Sequence, residues 1–260
     1  MDMPANRFKR RLKGGEAQIG LWVTLPGGFP AEIVAGAGFD WLCFDTEHSP
    51  NDPIGALAQM QAAAAHPVSA LCRPAWNDPV LIKRFLDAGA QTLVIPYVQS
   101  AAEAEAAVRA MRYPPGGFRG VSLMTRANHF GRVPGYLDRA EEELCLLVQI
   151  ETPEAVSRIE EIAAVDGVDA LFIGPSDLGV SMVERGLTDK VRAAVEDAVR
   201  RIVATGKAAG ILTTPDFARR CGDLGATVLG LGIDLGLLAR GADALARDFR
   251  QGAIQAGSKP

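Results

Sequence analysis

Apolar runs of strand length alternate with stretches in which apolar residues recur every three or four positions, and the alternation continues along the chain. Eight runs read as strands: 18–25, 40–46, 69–74, 92–98, 144–151, 169–175, 208–213 and 226–233. Helical stretches follow them, among them 53–65, 79–88, 101–112, 153–164, 189–205 and 235–250. Regular alternation of this kind is the signature of parallel βαβ units.

Four segments repeat one theme, a glycine at a helix end followed by an apolar strand: "GAGFDWLCFD" (36–45), "DAGAQTLVIP" (87–96), "VDGVDALFIG" (165–174) and "DLGATVLGLG" (223–232). They precede strands two, four, six and eight. The repeat suits a closed (β/α)8 TIM barrel better than an open sheet, and predicts a single α/β domain over 1–260. Helix starts are marked by "NDP" at 51–53 and 77–79 and by "TP" at 152–153 and 214–215, a capping Asp or Thr followed by Pro at the first helical position. The tight spacing fails only over 113–143, a stretch rich in Pro, Gly and Arg. A segment of that length inside a compact barrel is expected to serve the active site or an interface.

Composition narrows the function. The 260 residues are 48% apolar and 22% charged, enough for a large core. A net charge of −4 without a basic run argues against nucleic acid or an anionic membrane as partner and for a small soluble substrate. Cys43, Cys72, Cys145 and Cys221 lack CxxC spacing and read as buried thiols of a reducing compartment. The start "MDMPANRFKRRLKGG" lacks an apolar signal core, and no stretch reaches the roughly 18 apolar residues of a bilayer span, so the expected location is the cytoplasm.

Chemistry in such barrels sits at the C-terminal ends of the strands. Strand two ends in Asp45, Glu47 and His48, strand three in Arg73, strand five in Gln149 and Glu151, and strand six in Ser176 and Asp177. Each has an ordinary alternative. Asp45 or Glu47 could cap the next helix, and His48 could be a loop residue at the surface. Arg73 could pair with Asp78, and Glu151 could favour the positive end of the helix beginning at Pro153. The convergence of acids, a base, a cation and an amide at one end favours a site. Glu151 and Asp177 are two hard oxygen ligands without a Cys or His cluster, a set that suits Mg²⁺ or Mn²⁺ and disfavours zinc. Such an ion would bind a keto acid and stabilise an enolate. A Schiff-base lysine is the other route, but Lys9, Lys13, Lys83, Lys190, Lys207 and Lys259 lie on helices, at termini or at the wrong end. "GLGIDLG" (230–236) does not fit a dinucleotide fingerprint, and no Lys or Arg precedes Arg240 beside it to hold a phosphate.

With these residues in place, "GFDWLCFDTEHSPND", "RPAWNDPVLIKRFLDAGAQTLVIPYVQ", "RYPPGGFRGV", "LVQIETPEA" and "GPSDL" follow the order and spacing of one family. The chain resembles the HpcH/HpaI family of class II, metal-dependent pyruvate aldolases, nearly end to end. The resemblance implies that Glu151 and Asp177 hold the divalent ion, Mg²⁺ or Mn²⁺ with Co²⁺ a further choice. It implies that Gln149, Asp177 and the backbone at Ser176 hold the keto acid. His48 becomes the general base, Arg73 the oxyanion stabiliser, Asp87 the acid that raises the basicity of the histidine, and Asp45 a second acid of the strand-two loop. The implied reaction is reversible cleavage of a 4-hydroxy-2-oxo acid to pyruvate, or a close analogue, and an aldehyde. Oxaloacetate decarboxylation or another C–C cleavage at the same site, and a non-catalytic keto-acid-binding barrel, stand as alternatives.

Asp87 closes a helix that runs away from the mouth where His48 lies, so it is expected to reach the site of a neighbouring subunit. The family's hexamer, a dimer of trimers, and its use of a neighbour's "RGV" segment, here Val121, agree with that. The sequence departs from the family at Gly179 and Val183, where Ser-x-x-Met-Gly is frequent, at "PGY" (134–136) and at "NHFGR". These departures bear on the aldehyde rather than on the reaction.

Overall fold

The structure is a computed structural model that describes residues 1–257. Eight strands, β1 (Gln18–Val23), β2 (Trp41–Asp45), β3 (Ser69–Arg73), β4 (Thr92–Ile95), β5 (Cys145–Ile150), β6 (Ala170–Ile173), β7 (Ala208–Leu212) and β8 (Val228–Ile233), close into a parallel barrel in sequence order. Each stands within the expected range; all but β8 end short of it at the C-terminal side, where the chain leaves the ladder and carries the polar residues of the mouth, while β8 is shortened at its start.

Strand alternation decides which side chains enter the barrel. Trp41 and Cys43 of β2, Leu71 of β3 and Cys145 and Leu147 of β5 fill the interior together with Trp22 and Phe172. Leu42, Phe44, Cys72, Leu146 and Val148, one residue out of phase, pack outward under the helices. Continuing the same alternation sends Asp45, Arg73, Gln149 and Glu151 inward at the upper end. In the β2–β3 ladder Asp45 and Arg73 are direct partners. Trp22 meets Trp41 edge-on at 5.9 Å and Phe172 at 5.2 Å. Gly20 has no side chain because a Cβ there would collide with the Trp41 ring.

The helix Arg7–Lys13, which precedes the first strand and was not expected, seals the lower end by inserting Phe8 and Leu12 into the barrel interior. Its cap Asn6 accepts from Lys9 N at 3.0 Å and donates to Thr92 Oγ1 at 2.9 Å. Asp52, Asp78 and Thr152 cap their helices as expected, whereas Thr214 precedes Pro215 without a side-chain capping bond. The helix expected over 153–164 is interrupted at Arg158, giving Pro153–Ser157 and Ile159–Ala163, and the last helix runs longer than 235–250, as Asp234–Gly257. Segment 113–143 is folded around its own small core of Ala127, Val133, Tyr136 and Ala140.

Candidate active site

Arg73 organises the mouth. Its Nε donates to Asp45 Oδ1 at 2.7 Å and its Nη2 to Asp45 Oδ2 at 2.6 Å, a two-bond fork between buried side chains. The remaining Nη1 lies 2.7 Å from Glu47 Oε2 and donates to Gln149 Oε1 at 3.4 Å. The guanidinium sits 5.4 Å from the Trp22 ring. Burial pulls its pKa down, but the bonds to Asp45 and the charge of Glu47 outweigh that and hold it above the ordinary value. The alternative pairing of Arg73 with Asp78 is therefore excluded, as is helix capping by Asp45: Asp78 and Asp52 cap the helices.

Glu151 is buried beside this group. Its Oε1 accepts the Tyr97 backbone N–H at 2.8 Å and its Oε2 accepts from Gln149 Nε2 at 3.3 Å. Burial, reinforced by the charges of Asp177 and Glu47, raises its pKa to about 7 against the opposing pull of the Tyr97 bond and Arg73. Glu47 is raised too, by burial first and by Asp45 and Asp177, with Arg73 and His48 acting against the shift. Gly174 backs Glu151, since a Cβ there would collide with Oε2. Asp177 stands in the first turn of Pro175–Ser181 and, like Ser176, is exposed at the mouth.

Among the described residues no three His, Cys, Asp or Glu side chains gather closely enough to hold an ion alone. Two oxygen donors, one of them buried and raised in pKa by that burial first and by the charge of the other second, nevertheless fit a hard divalent cation that keeps water and substrate oxygens as its other ligands. Nitrogen and sulfur ligands are missing here: His48 is 62% exposed with its Nε2 3.8 Å from Glu47 Oε2, and all four cysteines are buried, burial pushing Cys72 up to about 12. Lys9 and Lys207 are no candidates for lysine chemistry at the mouth, since they are tied to main-chain carbonyls of Glu141 and Val168 on the lower side. In the loop "GLGIDLG", Asp234 accepts from Thr24 N and Oγ1 at 2.9 Å and from Leu25 N at 3.1 Å, so an acid occupies the place where a phosphate would need donors.

The structure thus brings Asp45, Arg73, Gln149 and Glu151 into contact, with Glu47 and His48 beside them and Asp177 close enough to perturb Glu151. It does not join Asp87 to His48 within one chain. Asp87 Oδ1 accepts from Arg119 Nη2 at 2.7 Å, and Val121, two residues further on, is exposed. Sequence reading missed Tyr97. Its φ of 56° turns its N–H onto Glu151, and its ring stacks on Trp76 at 5.8 Å. A main-chain donor leaves no mark in side-chain chemistry, and the exposed Trp76–Tyr97 pair, split between two loops, was its one trace.

The sequence matches the HpcH/HpaI aldolase/citrate lyase family over residues 18–241. A protein named pyruvate aldolase from Rhizobium etli is 58% identical over 252 residues, covering 96% of this chain and 99% of its own. A 4-hydroxy-2-oxo-heptane-1,7-dioate aldolase from Klebsiella pneumoniae is 51% identical over 252 residues, covering 95% of each. Among solved structures, an HpcH/HpaI aldolase/citrate lyase family protein from Burkholderia cenocepacia superposes with a TM-score of 0.90 at 37% identity, covering 95% of this chain and all of the other. A closed parallel barrel with its polar cluster at the strand ends, matched over almost its full length, belongs to the HpcH/HpaI aldolase/citrate lyase family and is a class II aldolase.

Proposed function

We propose that the mouth cleaves, reversibly, a 4-hydroxy-2-oxo acid into pyruvate or a close analogue and an aldehyde. The observation that carries this reading is the Arg73 fork, fixed by Asp45 and presented beside the Glu151–Asp177 pair. A planar cation held this rigidly is suited to the negative charge that develops on a keto oxygen, and needs no reorganisation as the charge appears. Glu151 and Asp177 would hold Mg²⁺ or Mn²⁺, with Co²⁺ a further choice, and the bound ion supplies Lewis-acid polarisation of the keto acid. Gln149, bonded to both Arg73 and Glu151, and the backbone at Ser176 would orient the carboxylate end.

His48 is the base. In cleavage it accepts the proton of the 4-hydroxyl as the C3–C4 bond breaks; in the reverse direction it accepts a proton from the methyl group of pyruvate. Its exposure suits a group that a second subunit completes. The assembly we propose is a homohexamer, a dimer of trimers, in which Asp87 and Val121 of segment 113–143 line a neighbour's site. Exposed Val121, Leu123, Met124 and Phe130 in that segment, and Leu237, Leu238, Leu245 and Phe249 on the last helix, support burial against further copies. No helix among the described residues is long and apolar enough to cross a membrane, in keeping with the cytoplasmic location we propose.

The test is a cleavage screen over 4-hydroxy-2-oxo acids of varied length and terminal charge, with oxaloacetate as a decarboxylation control, each with and without chelator. Metal-dependent release of pyruvate from at least one hydroxy-keto acid is expected, and no turnover across the series would sink the reading. His48→Gln should abolish proton exchange at the pyruvate methyl while leaving Mn²⁺ binding intact. Exchange that survives the substitution assigns the base elsewhere.

A further inference from the structure

The last residue of the Pro79–Asp87 helix is an acid, which meets the negative end of the helix macrodipole and is disfavoured there unless a cation answers it. The cation comes from segment 113–143. Arg119 is fully buried, its Nη2 donates to Asp87 Oδ1 at 2.7 Å, and its guanidinium lies 4.5 Å from the Tyr113 ring centroid. Arg126 of the same segment donates to the Ala88 carbonyl at 3.0 Å, so two arginines grip one helix end.

This grip is not the arrangement that stability alone would select. Arg119 Nε and Nη1 are buried without a hydrogen-bond acceptor among the described residues, although a two-bond fork with Asp87 would have satisfied one of them. Only one carboxylate oxygen is taken. Asp87 Oδ2 has no donor among the described residues, and the side chain keeps 27% of its surface exposed. The contrast is with Asp45, where Arg73 engages both oxygens of a fully enclosed carboxylate. One acid is closed off; the other is held by one oxygen with the second left at the surface.

We propose that Arg119 is the positioning residue for Asp87, holding its carboxylate so that Oδ2 meets His48 of a second copy of this chain. The inference rests on the reading of Asp87 given under Proposed function and adds the residue that makes an acid at a helix end fit for the role. The Tyr113 ring covers the guanidinium, and Arg126 fixes the helix end it serves.

The experiment is a double-mutant cycle on the assembled enzyme with Mg²⁺, read as pyruvate methyl-proton exchange in D₂O, with oligomer mass measured for every variant. Asp87→Asn should slow exchange about 100-fold. Arg119→Met should slow it about 10- to 100-fold, as loss of an orienting partner does elsewhere. The KM for pyruvate should change less than about twofold, since substrate binding is untouched. In the Asp87→Asn background Arg119→Met should add nothing, and Arg119→Lys, which keeps the charge, should recover part of the rate. Exchange at the wild-type rate in Arg119→Met, or a double variant slowed by the product of the two single effects, overturns the inference. If Arg119→Met does not assemble, Arg119→Lys carries the same cycle, and a slowing that persists without Asp87 overturns it. Should Asp87→Asn itself exchange at the wild-type rate, the reading of Asp87 fails and the inference falls with it, so that single variant tells the two failures apart.

Discussion

At the lower end of the barrel Asn6, Lys9 and Gln18 each donate to a carbonyl or hydroxyl of the chain, whereas at the mouth Asp45, Glu47 and Glu151 crowd around one guanidinium that bonds only the first two. The same strands build both ends. The lower end is packed with Phe8, Leu12 and Trp41 and its polar groups serve closure. The upper end keeps two carboxylates with raised pKa values, which a fold selected for stability alone would neutralise or remove. Unrelieved charge marks the functional end, and substitutions at the two ends should separate stability from turnover.

The largest effect should come from removing the charge that the mouth holds for its ion. Glu151→Gln, or a chelator on the wild-type protein, should lower kcat by about 10³-fold or more in a pyruvate-release assay. The converse substitution is Phe8→Ala, which should lower unfolding stability by about 3–5 kcal/mol in denaturant titration, yet leave kcat of the folded enzyme unchanged. Turnover lost together with stability in Phe8→Ala would erase the distinction between the ends.

A subtler separation is in pH. Glu151 is raised to about 7 in the fold from 4.5, so the folded state keeps a proton that the unfolded chain gives up. Metal-free stability is therefore greatest below about 4.5 on this group's account, falls as pH rises toward 7 and levels above it, by about 3 kcal/mol at most. Glu151→Gln should lack that decline, and saturating Mn²⁺ should remove it from the wild type; parallel pH–stability curves for the two metal-free proteins would refute it. The smallest effect concerns strain at the rim. Val183, where the resembled family often has glycine, adopts φ 62° two residues past the helix that carries Asp177 and is 92% exposed. Val183→Gly should raise stability by about 1 kcal/mol in thermal unfolding with no loss of turnover.

The barrel was legible because eight buried strands and their capped helices repeat one periodicity. The residues of the mouth were legible because inward alternation at strand ends leaves Asp45, Arg73, Gln149 and Glu151 no other place. The sealing helix was not, since Arg7–Lys13 spans seven residues, too short for a periodic pattern to emerge. The burial of Arg119 was not legible, although "RGV" was, because it sits in an irregular segment, where only three-dimensional packing distinguishes a buried arginine from a solvated one. Tyr97 acts through its main chain. Asp87 was expected to act away from the His48 of its own chain, but the Arg119 that holds it was not foreseen.

Asp45 and Arg73 face each other as one rung of the β2–β3 ladder. A slip of either strand by one residue would turn its member of the pair out of the barrel and under the helices. The ion pair therefore works as a proofreading device for assembly: only the correctly threaded barrel can form it. A chain trapped in a shifted register would strand a charge and be silent in an assay, so recovered activity after refolding reports strand alignment directly.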